Sequence, residues 1–256
     1  KSIFRDWNSM KANAAICFFL AGIIVLLVNR KQNNSTTRWV ASALSLIIFF
    51  TGTITLLEYI FGFDAGIDEI LFKDDGNADS GLPDGRQSPT SAAYFMFFGF
   101  SYLPGNNRFI KIYLFQVLHI ASGIIILMSL MSYILGSFVI AGVSLEFINV
   151  VHSTFSFLLL ILAVLFSQPE VGIMKQVSND TIGGKVIRKS LPLVILIFIV
   201  IGWLRQKGEH LGLYNEALGI SLFVIATIII MGYLIFSTAA SFTKSENVLI
   251  RSEERL

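Results

Sequence analysis

No Asp, Glu, Lys or Arg occurs at positions 12–29, 39–57, 87–107, 112–145, 147–169, 190–204 or 217–243. Uncharged runs of that length suit the interior of a bilayer, where about 20 apolar residues carry a helix across the hydrocarbon and where every backbone polar group must be bonded internally. The rest of the composition agrees, with 54% hydrophobic and 14% charged residues and a mean hydropathy of +0.72. These values exclude a large soluble domain and a nucleic-acid-binding surface as the main purpose of the chain. The single cysteine, Cys17, lies inside an apolar run and excludes an intrachain disulfide and a Cys-based zinc or iron–sulfur site.

The pattern predicts seven transmembrane helices at about 12–29, 39–62, 89–104, 111–136, 148–167, 190–204 and 217–238. The sixth is short. Arg188, Lys189 and Arg205 can snorkel from its ends, Pro192 suits its first turn and Trp203 suits an interface. Loops after the first, third and fifth helices, together with the tail, hold 12 of the 19 basic residues, whereas 12 of the 17 acids fall on the opposite side. By the positive-inside rule the N-terminus is expected outside and the C-terminus in the cytoplasm. No small-residue cleavage pattern follows the first helix, and the chain reads as a fragment of something longer.

An internal repeat is visible. Leu57-Glu58-Tyr59-Ile60-Phe61-Gly62 is echoed by Met131-Ser132-Tyr133-Ile134-Leu135-Gly136, and the next helices open on Thr90-Ser91-Ala92 with Phe95 and on His152-Ser153-Thr154 with Phe157. The first helix offers Asn13-Ala14-Ala15 with Phe18, and Gly22 matches Gly99. A weaker third copy places Trp203 in the tyrosine position. The expected fold is therefore an all-α, seven-helix membrane bundle built from a half-hairpin and three two-helix repeats over residues 1–240, with a cytoplasmic signalling helix starting at 241–256. Repeats of two spans keep one orientation, so their outer loops should converge around an external cavity.

Glu58 is the one acid well inside an apolar run, on a helical stripe with Thr51, Thr55 and Gly62. It reads either as a ligand or proton site inside the bundle or as an interfacial residue that reaches water. His152 opens the fifth helix at similar depth and could bond Glu58, titrate near neutrality or simply cap the helix. With Thr55, Tyr59, Tyr133 and Trp203 these form the candidate ligand-binding or proton-sensing set. Gln116 and His119 form a stripe that interhelical hydrogen bonding explains. The acids of the loop from Phe63 to Gln87 lack calcium-loop spacing and read as a solvated acidic loop. No Schiff-base lysine occupies the last span, and no zincin, nucleophile-elbow or P-loop motif occurs, so neither a catalytic centre nor a metal or cofactor is expected.

Beyond the last span, Phe242, Leu249 and Leu256 recur every seven residues among charges, the start of a seam that would align two protomers in a homodimer. The run Leu57-Glu58-Tyr59-Ile60-Phe61-Gly62-Phe63-Asp64-Ala65-Gly66-Ile67-Asp68, the later Gly85-Arg86-Gln87-Ser88-Pro89-Thr90-Ser91-Ala92, and Gly202-Trp203-Leu204-Arg205 with Gly212-Leu213-Tyr214 resemble the N-terminal membrane domain of bacterial sensor histidine kinases and diguanylate cyclases. The resemblance implies an input module in the bacterial inner membrane that passes an external or membrane-borne stimulus to cytoplasmic output domains through its last helix, and the Phe-rich bundle with its outer cavity suits a membrane lipid or a small lipophilic ligand. Thr90 departs from the asparagine expected there. A small-solute transporter is the alternative, since parallel hairpins can also build an alternating-access path.

Overall fold

The computed structural model describes residues 10–30, 34–69, 83–103, 108–135 and 151–253. Among them every regular element is helical: α1 (Ala12–Val28), α2 (Ser35–Phe61), α3 (Pro89–Tyr102), α4 (Arg108–Leu135), α5 (Val151–Phe166), α6 (Gly172–Ser178), α7 (Ile182–His210) and α8 (Glu216–Glu253). Four segments are long and apolar enough to cross a membrane, namely Ser35–Phe61, Ile112–Met131, Ile182–His210 and Glu216–Ala239. Ala12–Val28 and Val151–Phe166 are shorter apolar helices. The chain divides into two compact units, Lys1–Met174 and Lys175–Leu256.

The first unit is organised around α2 and α3, which approach so closely that side chains are excluded between them. A Cβ at Gly99 would stand 2.5 Å from the Phe49 nitrogen and 2.6 Å from the Ser45 carbonyl oxygen, and one at Gly52 would stand 2.5 Å from the Ala92 carbonyl oxygen. Small residues at a helix crossing let backbones meet, and in lipid that van der Waals contact replaces the hydrophobic drive available in water. Gly22, which the repeat pairs with Gly99, has no atom within 4 Å of its would-be Cβ. The two positions share a residue type without sharing a packing duty.

The core of this unit is aromatic. Phe18 of α1, Phe95 of α3 and Phe157 of α5 occupy equivalent places in the three similar helix openings and meet one another, with centroid separations of 5.1 Å (Phe18–Phe95), 4.5 Å (Phe18–Phe157) and 5.2 Å (Phe95–Phe157). Edge-to-face and tilted pairs at such distances add about 0.5–1.5 kcal/mol each beyond area burial. Tyr94 joins through Phe157 at 4.8 Å, while Ile24, Ile48 and Val164 close the core.

In the second unit α7 begins eight residues before the segment expected from apolar length alone. Thr181 is its N-cap and accepts from the Gly184 amide at 3.2 Å, so Gly183-Gly184 belongs to the first turn of a helix and is not a turn between elements. A Cβ on Gly184 would collide with the Asn179 carbonyl, which explains the glycine by close approach. Pro192 consequently sits inside a continuous helix and does not open one. Tyr214 joins α7 to α8: its hydroxyl donates to the Arg205 carbonyl at 2.6 Å, and its ring fills the space that side chains at Gly208 and Gly219 would need. Most large apolar residues of α7 and α8 are exposed, among them Leu196, Ile228, Ile229 and Phe236.

Equivalent substitutions should separate the two glycines that the sequence pairs. Gly99→Ala is expected to lower stability by about 1–3 kcal/mol through overpacking. Gly22→Ala should be neutral or stabilising, since alanine is the better helix former by roughly 0.8–1 kcal/mol. Thermal melting in one detergent would read both, and equal melting temperatures for the two variants would overturn the packing argument.

Candidate functional site

The end of α2 buries a carboxylate, and the following loop is folded around it. Glu58 is 1% exposed. Its face of α2 carries Ala41, Ser45, Ile48, Gly52, Thr55 and Glu58 as buried residues, so the inward stripe runs through Gly52 and Thr55, with Thr51 half-buried beside it. The helix ends at Gly62, whose φ of 68° is a left-handed C-terminal conformation that only glycine adopts at little cost. That reversal lets the Ala65 amide donate to Glu58 Oε1 at 2.8 Å.

Arg86 supplies the counter-charge. Its Nε donates to Asp68 Oδ2 at 2.7 Å and lies 3.4 Å from Glu58 Oε2, while its Nη2 is 3.5 Å from Asp64 Oδ1. Asp68 and Arg86 are 5% and 7% exposed, so the pair is desolvated, and Asp64 closes the cluster from the solvent side. The Tyr59 ring lies under the guanidinium with its centroid 5.5 Å away, a cation–π contact. Gly85, with φ of 70°, makes the approach possible: a Cβ there would stand 2.7 Å from the Asp68 carbonyl oxygen.

A second layer of polar contacts fixes the strand of loop that carries Arg86. The Tyr59 hydroxyl donates to the Gln87 carbonyl at 3.0 Å, and Gln87 Nε2 donates to the buried Thr55 hydroxyl at 3.4 Å. Ser88 then caps α3 by accepting from the Ser91 amide, with Pro89 in the first turn. Asn13 of α1 donates from Nδ2 to the Ile67 carbonyl at 3.0 Å, tying the loop to a third helix.

Electrostatically the cluster is unbalanced. Three carboxylates face one guanidinium, and Glu58 Oε2, Asp68 Oδ1 and Gln87 Oε1 are buried without a hydrogen-bond partner. Burial pushes the Asp68 pKa above the usual carboxylate range, against the Arg86 hydrogen bond that pulls it down. Burial also opposes the charge on Arg86, yet its hydrogen bond to Asp68 and the charges of Asp68 and Glu58 raise its pKa overall. One oxygen from each of Glu58, Asp64 and Asp68 lies within 4.8 Å of the others, a spacing a metal ion could use. Arg86 already stands among those oxygens, and a calcium ion would need six to eight oxygen ligands. The three carboxylates are thus arranged around a fixed organic cation, the Arg86 guanidinium.

Of the candidate residues read from the sequence, Glu58, Thr55 and Tyr59 are assembled here. His152 lies half-buried in the first turn of α5, and its carbonyl accepts from Ser156 Oγ. The groups described around Glu58 come from residues 64–86. Tyr133 lies on α4, and its side chain falls outside the described residues. Trp203 belongs to the second unit, where the Lys207 ammonium stands 5.3 Å from its ring centroid. Phe242 and Leu249 fall within α8, and Leu256 lies outside the described residues.

Two expectations need correction. The loop acids are not uniformly solvated, because Asp68 is buried against Arg86. The Gln116–His119 stripe is not a single hydrogen-bonding unit either. Gln116 does act between elements, accepting from the Ile173 amide at 2.6 Å and donating to the Val171 carbonyl at 3.1 Å, where it caps α6. His119 instead places Nδ1 2.8 Å from the Phe115 carbonyl of its own helix, packs against Phe115, Tyr94 and Phe98, and leaves Nε2 without a partner. Its aromatic neighbours take the space an interhelical acceptor would need.

Removing Arg86 should reveal how strained the carboxylates are. Arg86→Gln leaves two buried charges without a counter-ion and is expected to cost about 3–5 kcal/mol near neutral pH. Folding raises the Asp68 pKa, so the associated stability is present below the unfolded value and lost as pH rises through the folded one. The deficit of Arg86→Gln should therefore shrink on acidification, as the carboxylates protonate. A pH-independent deficit in thermal melting, or a melting temperature raised by added calcium, would contradict this account of the cluster.

Comparison with protein-family models, with curated proteins and with solved structures finds no match to this chain.

Proposed function

We propose that the chain is the membrane input module of a bacterial signalling protein, most simply a sensor histidine kinase or a diguanylate cyclase. In this reading it spans the inner membrane seven times, with the N-terminus outside and the C-terminus in the cytoplasm. The contact of Phe18, Phe95 and Phe157 supports the repeat on which the seven spans rest, since equivalent residues of three parallel helices meet where an axis along the membrane normal would pass.

The observation that carries the proposal is the length of α8. It is one helix of 38 residues, Glu216–Glu253, whereas its uncharged stretch runs from Ala217 to Thr243. At 1.5 Å per residue the helix is about 57 Å long against a hydrocarbon core of about 30 Å. Roughly 15 Å of helix therefore extends past the uncharged stretch, into the charged sequence that bears Leu249, seven residues after Phe242. An unbroken helix transmits a rotation or a piston shift without loss at a joint, which a flexible linker cannot do. Dimerisation along that seam would carry the movement to a paired output domain.

The receiving end in this reading is the Glu58–Arg86–Asp68 cluster. Its excess of carboxylate over guanidinium leaves room for a proton or a cationic ligand, and a ligand that binds one charge state better shifts the population toward it. Output would then follow the position of the loop that Arg86 organises.

Three measurements test the proposal. In the full-length protein, one residue inserted after Leu249 rotates everything downstream by roughly 100° and should abolish signalling, while a seven-residue insertion restores phase and should preserve it. Equal outputs from both insertions would make the tail a passive linker. Glu58→Gln and Arg86→Lys should each alter the stimulus response while expression stays intact, and His152→Ala tests whether α5 contributes. Responses like wild type in all three would remove the cluster from the mechanism. In a Cys17→Ser background, an impermeant thiol reagent should label a cysteine at Gly81 in intact cells and spare one at the C-terminus; the reverse pattern would overturn the orientation.

A further inference from the structure

At the opposite end of α2 from Glu58 the first unit encloses an open cleft of about 1010 Å³, at the upper end of the ~300–1,000 Å³ usual for small-molecule sites. The outer cavity expected from the repeat is on the Glu58 side, so this cleft is a different feature. It lies where α1 ends, α2 begins, α3 ends and the segment after α5 returns. Its lining is graded. Ala41, Ser101 and Phe115 are buried at the floor, and the Ser101 hydroxyl is spent on the Phe97 carbonyl of its own helix, which leaves the floor apolar in effect. The rim is polar, exposed and charged, with Ser35, Arg38, Trp39 and Glu170.

Two features of the rim suit a phosphate, and two more suit the rest of a zwitterionic headgroup. The first turn of α2 lines the cleft through Ser35, Thr37 and Arg38. Asn34 holds the N-cap position without a side-chain hydrogen bond into that turn, so the amides of a 27-residue helix are uncapped at the rim. Arg38 adds a guanidinium, whose fork matches phosphate oxygens two at a time. Glu170, from the segment after α5, places the complementary negative charge on another wall. Trp39 is 72% exposed at the start of a membrane-compatible helix, where an indole suits the headgroup region.

We infer that this cleft binds one zwitterionic phospholipid, with its phosphate at Arg38 and the α2 N-terminus, its ammonium at Glu170 and an acyl chain over the Ala41–Phe115 floor. A soluble phosphate would use the first contact alone and would leave the apolar floor and Glu170 unexplained. This site is separate from the cluster at Glu58, and its occupancy is independent of any signalling role for that cluster.

The test uses the detergent-purified chain, stripped of lipid and titrated with phosphatidylethanolamine, phosphatidylglycerol or inorganic phosphate. Bound lipid is counted by native mass spectrometry, and affinity is read from Trp39 fluorescence in a Trp7→Phe, Trp203→Phe background. One phosphatidylethanolamine per chain is expected, with inorganic phosphate failing to displace it. Arg38→Gln should weaken both lipids roughly tenfold, the loss of one charge-assisted phosphate contact. Glu170→Gln should weaken phosphatidylethanolamine and spare phosphatidylglycerol. Ser42→Phe should block the lipid by filling the cleft; because Arg38 and Glu170 are exposed, their variants keep the test valid even if that one misfolds. Displacement by inorganic phosphate at matched concentration would make this a soluble-anion site, and unchanged lipid binding in Arg38→Gln would overturn the inference outright.

Discussion

A carboxylate held at 1% exposure near the end of an apolar helix is the constraint from which the first unit follows. Glu58 cannot stay ionised there alone, since an uncompensated charge costs several kcal/mol even after relaxation. Its compensation comes from 28 residues further along the chain, and drawing Arg86 into place imposes the rest of the local structure. The chain must reverse at Gly62, admit Asp68 below the surface and pass Gly85 against the Asp68 backbone before α3 can start at Pro89. The geometry of the α2–α3 connection is thus written by electrostatics. Apolar packing fixes it further down, where Gly52 and Gly99 let the two backbones touch.

These two devices differ in what they tolerate. The glycine contacts admit one arrangement, because an added methyl meets backbone atoms that cannot move independently. The ion cluster admits more than one, because protons can be added to it without breaking a covalent or packing constraint. The proposed switch would draw on both: with no slack between the helices at Gly52 and Gly99, a charge change at the cluster would have to move the loop and not the crossing.

The positions of the apolar helices were legible in the sequence because the bilayer filter is severe and leaves long uncharged runs. The sixth was underestimated for a specific reason. Apolar length ignores polar helix, and α7 gains its first turns from Thr181 and from the close approach at Gly184, neither of which hydropathy records. Glu58, Thr55 and Tyr59 stood out because a polar face on an apolar helix is conspicuous. Arg86 and Asp68 did not, since a loop rich in acids looks solvated when read residue by residue. The available signal was stoichiometric: a buried acid needs a cation, and Arg86, flanked by Gly85 and the Ser88-Pro89 cap, is the one arginine in the connection that leads out of α2. The Gln116–His119 stripe shows the converse limit. Helical spacing placed both residues on one inward face, but only the structure shows that aromatic rings surround the second.

The second unit obeys a different logic. With most of its large side chains exposed, the α7–α8 hairpin gains little from its own core, and within it the helices are held by Tyr214, two glycines and the turn at Gly212. Local stability follows local burial, so such a hairpin depends on lipid or on another protein surface for its preferred arrangement. That dependence is a defect in a scaffold and an asset in a transmitter. A transmitting element, as proposed for α8, has to keep its own shape. The shape is preserved, because α8 runs without a break from Glu216 to Glu253. Stiffness along an unbroken helix is the mechanical condition for the rotation proposed for it, because a helix without a joint carries a turn at one end to the other.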